Sequence, residues 1–429
     1  MHKLVYWLWL SLACTPGTAT FPRLIEKFGD AKSIYEADSK SIARCIDPRS
    51  SDRVRLDDKS LDKAQEILDY CRRLKIGLLS YDDEKYPKQL KEIQSPPVIL
   101  YYRGVLPDFN SAFCVSIVGT RSLSDYGRRN TFKISYDLAS AGATIVSGMA
   151  MGIDGVAHAG ALEADKPTVA VIGSGIDICY PNQHLALARE IVKTGCVITE
   201  FPPHTPPTKH NFPIRNRIIS GLSAATVVIE GKERSGARIT AGYALEQKRK
   251  LYALPGNIGS ENSEVTGMLL KNGAQALTSA DDIVRDFQDA YPKVINPFNL
   301  KTKLPVDIME SLSRYSVVAV CAGDDIFPEV PSRRPRRKSE SEAYQKRETK
   351  VEKNDAVVDN DNEVAPCIDS LAFEVYKKIP TSGECSVESL VDSNISLRDV
   401  MKCLLKLEMG HFIKMLPGDR VSRKFKSER

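Results

Sequence analysis

Asp154 and His158 stand four residues apart in SGMAMGIDGVAHAGAL (147–162). That spacing brings a carboxylate and an imidazole onto one face of a helix, where an enzyme could use them for proton transfer. Such chemistry also needs a nucleophile or a second acid, and the segment offers neither. The structural reading fits better: Asp154 takes up free N–H groups at the helix start, while Ala157, Ala159 and Ala161 let the helix lie close to a sheet. In IVGTRSLSDYG (117–127), Gly119 frees the backbone, Thr120 and Ser122 offer hydroxyls, and Arg121 projects a fork of donors. A helix starting near Asp125 would add amide N–H groups, a set that suits a phosphate oxygen. GSGIDICYP (173–181) has Gly173 and Gly175 but lacks the third glycine of a dinucleotide fingerprint and a ribose-binding carboxylate. No nicotinamide or flavin cofactor is expected from it, only a tight turn.

The densest cluster is TKHNFPIRNR (208–217). Lys209, Arg215 and Arg217 are of the type that neutralises phosphates, Phe212 offers a stacking face, and Asn216 adds an amide. Pro213 suits the first turn of a helix. Cations beside an aromatic ring are how single nucleic-acid strands are held without sequence preference. Farther on, Ser235 and Gly236 in GKERSGARIT (231–240) supply backbone amides at another turn, as do Ser147 and Gly148 after TIVSG.

These segments need a common platform, and the chain provides one. Apolar strand candidates recur as AFCVSIVG, TIVSG, TVAVIGSG, CVITE, TVVIEG, KLYALPG and AQALTS, with helical stretches between them. Strands that are apolar on both faces and alternate with helices predict a parallel sheet covered on both sides, an α/β fold. In such sheets ligands sit at the carboxyl ends of the strands, which is where every candidate above falls.

The remainder sets the limits. The chain has 429 residues, 42% hydrophobic and 27% charged, with a net charge of +5, so it is of a size for several domains and only mildly basic. Its ten cysteines contain no C-x-x-C pair; neither a zinc site nor a disulfide framework is expected, and reduced thiols fit a cytoplasmic location. The start, MHKLVYWLWLSLACTPGTAT, imitates a secretory signal, but FPRLIEKFGD follows at helical spacing. A helical hairpin burying Leu8, Leu10 and Leu12 is the better reading, and no stretch is long enough to span a membrane. Residues 1–72 form a small helical domain and residues 73–290 the α/β core. Residues 291–365 read as a disordered linker, because PSRRPRRKSESEAYQKRETKVEKNDAVVDNDNEV (331–364) is charged and nearly free of large apolar side chains. Residues 366–429 read as three short helices and a hairpin turning at PGDR, the plan of a winged helix.

Taken in order, IVGTRSLSDYG, SGMAMGIDGVAH, TVAVIGSGIDICYP, FPPHTPPTKHNFPIRNRIISGLS and VVIEGKERSGARITA closely resemble the DNA-processing protein A (DprA/Smf) family, over about residues 75–285. The resemblance implies an extended Rossmann-like sheet, a helix-hairpin-helix or SAM-like domain before it and a winged helix after it. It also implies a dimer that binds single-stranded DNA, shields it in natural transformation and helps load the RecA recombinase, without catalytic activity, cofactor or metal. Carried over by motif, the DNA contacts would be Arg121, Lys209, Phe212, Arg215 and Arg217, with the Ser235–Gly236 turn nearby. Arg238 stands where members carry a small aliphatic residue, and Val265 and Gly267 replace an expected Gly and Asn. The competing expectation is a nucleotide-acting hydrolase, because phosphoribohydrolases share the fold. Those carry PGGxGTxxE where this chain reads PGNIGS (255–260) before Glu261.

Overall fold

A computed structural model describes residues 3–300, 304, 307–316 and stretches of 375–423. Six helices come first: α1 (Lys3–Ala13), α2 (Thr20–Phe28), α3 (Ala31–Glu36), α4 (Ser39–Ala43), α5 (Asp52–Asp57) and α6 (Asp62–Arg73). The α1–α2 hairpin forms as the apolar spacing predicts, with Trp7, Leu8, Leu10, Phe21 and Leu24 buried, while Leu12 is only partly covered. Asp30 and Asp38 start α3 and α4 by accepting backbone N–H groups of the first turn, which supplies donors the helix itself leaves unpaired. The boundary expected at residue 72 is no break in packing. One hydrophobic core joins Trp7, Leu8 and Leu68 to Tyr101, Ala170 and Val197 of the sheet.

The core follows as β1 (Gly77–Ser80), α7 (Lys88–Lys91), β2 (Ile99–Gly104), β3 (Cys114–Val118), α8 (Asp125–Ser140), β4 (Thr144–Ser147), α9 (Ile153–Glu163) and β5 (Thr168–Val171). Next come α10 (Leu185–Thr194), β6 (Cys196–Thr199), α11 (Asn211–Gly221), β7 (Ala225–Val228), α12 (Gly236–Glu246), β8 (Lys250–Ala253), α13 (Glu264–Lys271), β9 (Gln275–Ala276) and α14 (Ala280–Phe287). The nine strands order as β1-β2-β6-β5-β4-β3-β7-β8-β9. From β6 to β9 all pairs are parallel, and β1 and β2 add an antiparallel edge. Strands β3 to β7 are buried along their whole length, as predicted for a sheet covered on both faces. The chain runs outward from β3 to β6 and then returns through α11 to place β7 beside β3. In folds with such a reversal the carboxyl edge is the usual ligand position.

The expected linker begins later than residue 291. Ile295 is buried, and α15 (Ile308–Ser316) packs on α9, where Arg314 and Tyr315 reach Glu163 at 3.2 and 3.3 Å. Residues 317–374 lie outside the described residues. A separate C-terminal unit contains β10 (Cys385–Ser386), β11 (Ile413–Leu416) and β12 (Arg420–Arg423), in the order β10-β12-β11. The hairpin of β11 and β12 falls where the sequence predicts it, and Val375, Leu390, Leu404, Ile413 and Val421 make a small core. The middle helix expected over SVESLVDSN differs: its described residues open with Ser386, which ends β10 and pairs with β12, and continue as a 3₁₀ turn at Val387–Leu390. Among the described residues no helix is long and apolar enough to cross a membrane. The eight described cysteines are free thiols.

Candidate nucleic-acid interface

The loops after β3, β4 and β5 and the start of α11 converge at the carboxyl edge. Phe212, in the first turn of α11, holds its half-buried ring at their meeting point. The Arg121 guanidinium lies 5.4 Å from the ring centroid and that of Arg215 5.9 Å, within cation–π range. Tyr180 tilts against the same ring with centroids 5.6 Å apart. Arg121, Gly148, Met151, Gly173, Tyr180 and Phe212 line a shallow cleft there. Arg121 and Lys209 are exposed, as are large parts of Met151 and Tyr180. The cleft therefore offers flat apolar faces next to cations with free reach.

Two of the expected phosphate contacts need correction. Arg215 is 4% exposed, and its Nη1 donates to the carbonyl of Gly148, at 2.7 Å, and to that of Val171. It therefore ties α11 to the ends of β4 and β5. Burial pushes its pKa down to about 10, opposed by nearby Asp154, so it still carries its charge at neutral pH under the floor of the cleft. Arg217 is equally buried and pairs with Glu200 at 2.6 Å on the side of α11 that faces the α1–α2 turn. Neither guanidinium is presented to a strand in solvent. Two residues apart on a helix, positions 215 and 217 project in different directions and find different buried partners, whereas Lys209 lies before α11 and is exposed. Asn216 is buried too, with Nδ2 donating at 3.4 Å to the Gly236 carbonyl, so it links α11 to α12.

The predicted backbone turns divide in the same way. Ser147 is fully buried and donates to the Ile117 carbonyl at 2.6 Å. Thr120 is buried and accepts the Ser122 N–H at 3.2 Å; Gly119, beside it, is half-covered. Gly148 and Gly173 are glycines because of close approach: a Cβ at Gly148 would sit 2.6 Å from Arg215 Cζ, and one at Gly173 3.0 Å from Phe212 Cδ1. Ser235 is half-buried and Gly236 exposed at the start of α12. At the start of α8 the Gly127 N–H already has an acceptor within the chain. Ser124 supplies it, and Glu230, just beyond β7, accepts from the Ser124 N–H at 3.0 Å and from its hydroxyl, which places an internal anion at that helix terminus. Sequence reasoning missed Tyr180, Met151 and Glu230. The charge of Glu230 directly after an apolar strand was the available signal for it.

Gly148→Ala is expected to destabilise the fold by about 1–3 kcal/mol, because the added methyl displaces a guanidinium that two carbonyls hold in place. The midpoint of urea unfolding measures it; an unchanged midpoint would mean that Arg215 moves aside freely.

The remaining candidates are committed internally. Asp154 accepts the Ala150 N–H at 3.4 Å, and burial raises its pKa against the opposing charge of Arg215. His158 is fully buried with Nδ1 2.8 Å from Thr168 Oγ1, and its pKa falls to about 3, chiefly through burial. The two do not form an acid–base pair. Glu261 pairs with Lys232 on the surface. Among the unusual residues, Val265 is buried against Gly231, whereas Gly267 has open space around it and Arg238 is exposed. The valine thus closes its corner by packing.

The DNA recombination-mediator protein A family model matches residues 77–288. The DNA processing protein DprA of Bacillus subtilis is 37% identical over 236 residues, 55% of this chain and 80% of that protein. Protein Smf of Escherichia coli is 42% identical over 212 residues, 49% of this chain and 56% of its own length. The crystal structure of DNA processing protein A from Streptococcus pneumoniae superposes with a TM-score of 0.59 at 31% identity, covering 67% of this chain and 98% of that one. By motif order, fold and similarity over most of the length of a relative, the chain belongs to the DNA recombination-mediator protein A (DprA/Smf) family.

Proposed function

We propose that this chain grips single-stranded DNA at the carboxyl edge of its sheet and acts in recombination as a mediator, not as an enzyme. The observation that carries the reading is the Phe212 ring at the crevice with the guanidiniums of Arg121 and Arg215 within 6 Å of its centroid. A base stacks on the ring and its neighbours, while Arg121 and Lys209 neutralise the phosphates on either side. Arg215 and Arg217 serve the grip indirectly by fixing α11. Duplex DNA keeps its bases stacked inside and offers the ring nothing, so the site selects unpaired strands. We extend the reading to the family's wider role: a cytoplasmic homodimer that shields incoming DNA in natural transformation and passes it to the RecA recombinase. The internal commitments of Asp154 and His158 support a binder without catalysis.

Titration of an oligothymidine against a duplex of equal length, over a range of salt, tests the site. Binding should favour the single strand and weaken with salt at a slope of about −0.7 per phosphate neutralised. Arg121→Ala should lower the magnitude of that slope by about 0.7. An unchanged slope and affinity in that variant would remove Arg121 from the interface. Release of free base from nucleoside monophosphates by the pure protein would instead favour a hydrolase.

A further inference from the structure

Asp177 lies in the loop after β5, outside the cleft, and is 3% exposed. Its carboxylate joins two other pieces of chain. The Tyr70 hydroxyl, from α6 of the helical layer, donates to Oδ2 at 3.2 Å. The backbone N–H of His204 donates to Oδ1 at 2.9 Å, and His204 Nδ1 stands 2.7 Å from Oδ2. His204 itself adopts φ of 66°, a left-handed conformation that costs a residue with a Cβ energy and persists where its surroundings enforce it. The Tyr70 and His204 rings touch edge to face, 4.7 Å apart, and the Arg73 guanidinium lies over Tyr70 at 5.4 Å. Burial and the Asp177 charge push the Tyr70 pKa up to about 12, so its hydroxyl keeps its proton.

The held loop leads directly to Lys209. Next to His204, the Thr205 carbonyl accepts the Gly175 N–H at 2.8 Å. At its far end, Asn211 Nδ2 donates to the Gly173 carbonyl at 3.0 Å. Lys209 sits between these two fixed points with its side chain in solvent.

We propose that Asp177 is a positioning residue for the DNA grip: it holds the loop 201–210 that presents Lys209 just before α11, and through Tyr70 it makes that placement depend on the helical layer. The inference rests on the DNA-binding reading above. A flexible lysine loses orientational freedom when it binds a phosphate, and a loop already held in place lowers that loss. Asp177 touches no strand; it acts through Lys209.

Oligothymidine binding by the full chain, with Asp177→Ala, Asp177→Asn, Lys209→Ala and the Asp177→Ala/Lys209→Ala pair, tests this, together with amide exchange of residues 201–211 in the free protein. Asp177→Ala is expected to weaken binding about tenfold and to speed exchange in the loop. Asp177→Asn keeps an acceptor for the His204 N–H and should recover most of both losses. The double variant should bind no worse than the weaker single one, because the two residues act through one contact. Losses that multiply in the double variant, or Asp177→Ala binding as the wild type does, would overturn the proposal. If the wild type binds no single strand, the DNA reading fails by itself. Exchange then still decides on the loop, and unchanged exchange in Asp177→Ala refutes its positioning.

Discussion

Arg217→Ala is expected to lower the stability of the sheet-bearing unit by about 3–5 kcal/mol, because it leaves the Glu200 carboxylate buried without its partner. Both side chains are about 5% exposed and meet at 2.6 Å, so solvent cannot replace the lost guanidinium. The deficit should depend on pH in a definite direction. Burial raises the Glu200 pKa above its ordinary value, and the Arg217 charge opposes that rise. Removing Arg217 therefore raises the folded-state value further while the unfolded value stays ordinary. A carboxyl of this kind binds its proton more readily in the folded state, so stability is retained below the unfolded value and lost as pH rises through the folded one. Thermal melts of Arg217→Ala should approach the wild type in acid and fall away toward neutral pH. A second substitution, Glu200→Gln, removes the stranded charge and should restore much of the stability. If Arg217→Ala instead melted like the wild type at neutral pH and lost only DNA affinity, Arg217 would be a phosphate contact after all.

Phe212→Ala carries the largest expected effect on binding. Loss of one stacking platform costs about 1–3 kcal/mol per base, or about 5- to 150-fold in affinity. Because no charge is removed, the slope of affinity against salt should stay as in the wild type, in contrast to Arg121→Ala. Phe212→Tyr preserves the flat face and should bind nearly normally. Fluorescence anisotropy with a labelled oligothymidine reads both quantities. A Phe212→Ala protein that keeps wild-type affinity would show that the ring only packs against Gly173 and Tyr180.

The elements of the core were legible in the sequence because each carries its own period. Buried strands such as CVSIV and TVAV are apolar at every position, and the intervening stretches repeat at helical spacing. The same reasoning placed the α1–α2 hairpin and the strands of the C-terminal hairpin correctly. It missed β10 because two residues in a strand present no period to detect. It missed the packing of α15 because that helix is short and its burial depends on α9 and α10, which are far away in the chain.

What the sequence determined alone was the parallel sheet, the edge on which its glycine turns lie, and the presence there of cations beside an aromatic ring. These follow from local patterning, since apolar runs must be buried and turns must leave the sheet at strand ends. Which cations face solvent was decided only by the tertiary structure. Arg121, Arg215 and Arg217 are alike as residues, yet one reaches the cleft, one bonds to strand-end carbonyls and one neutralises Glu200. The partners that make this distinction lie 17 to 67 residues away in the chain, and only the folded sheet brings their carbonyls and carboxylate within hydrogen-bonding distance of α11.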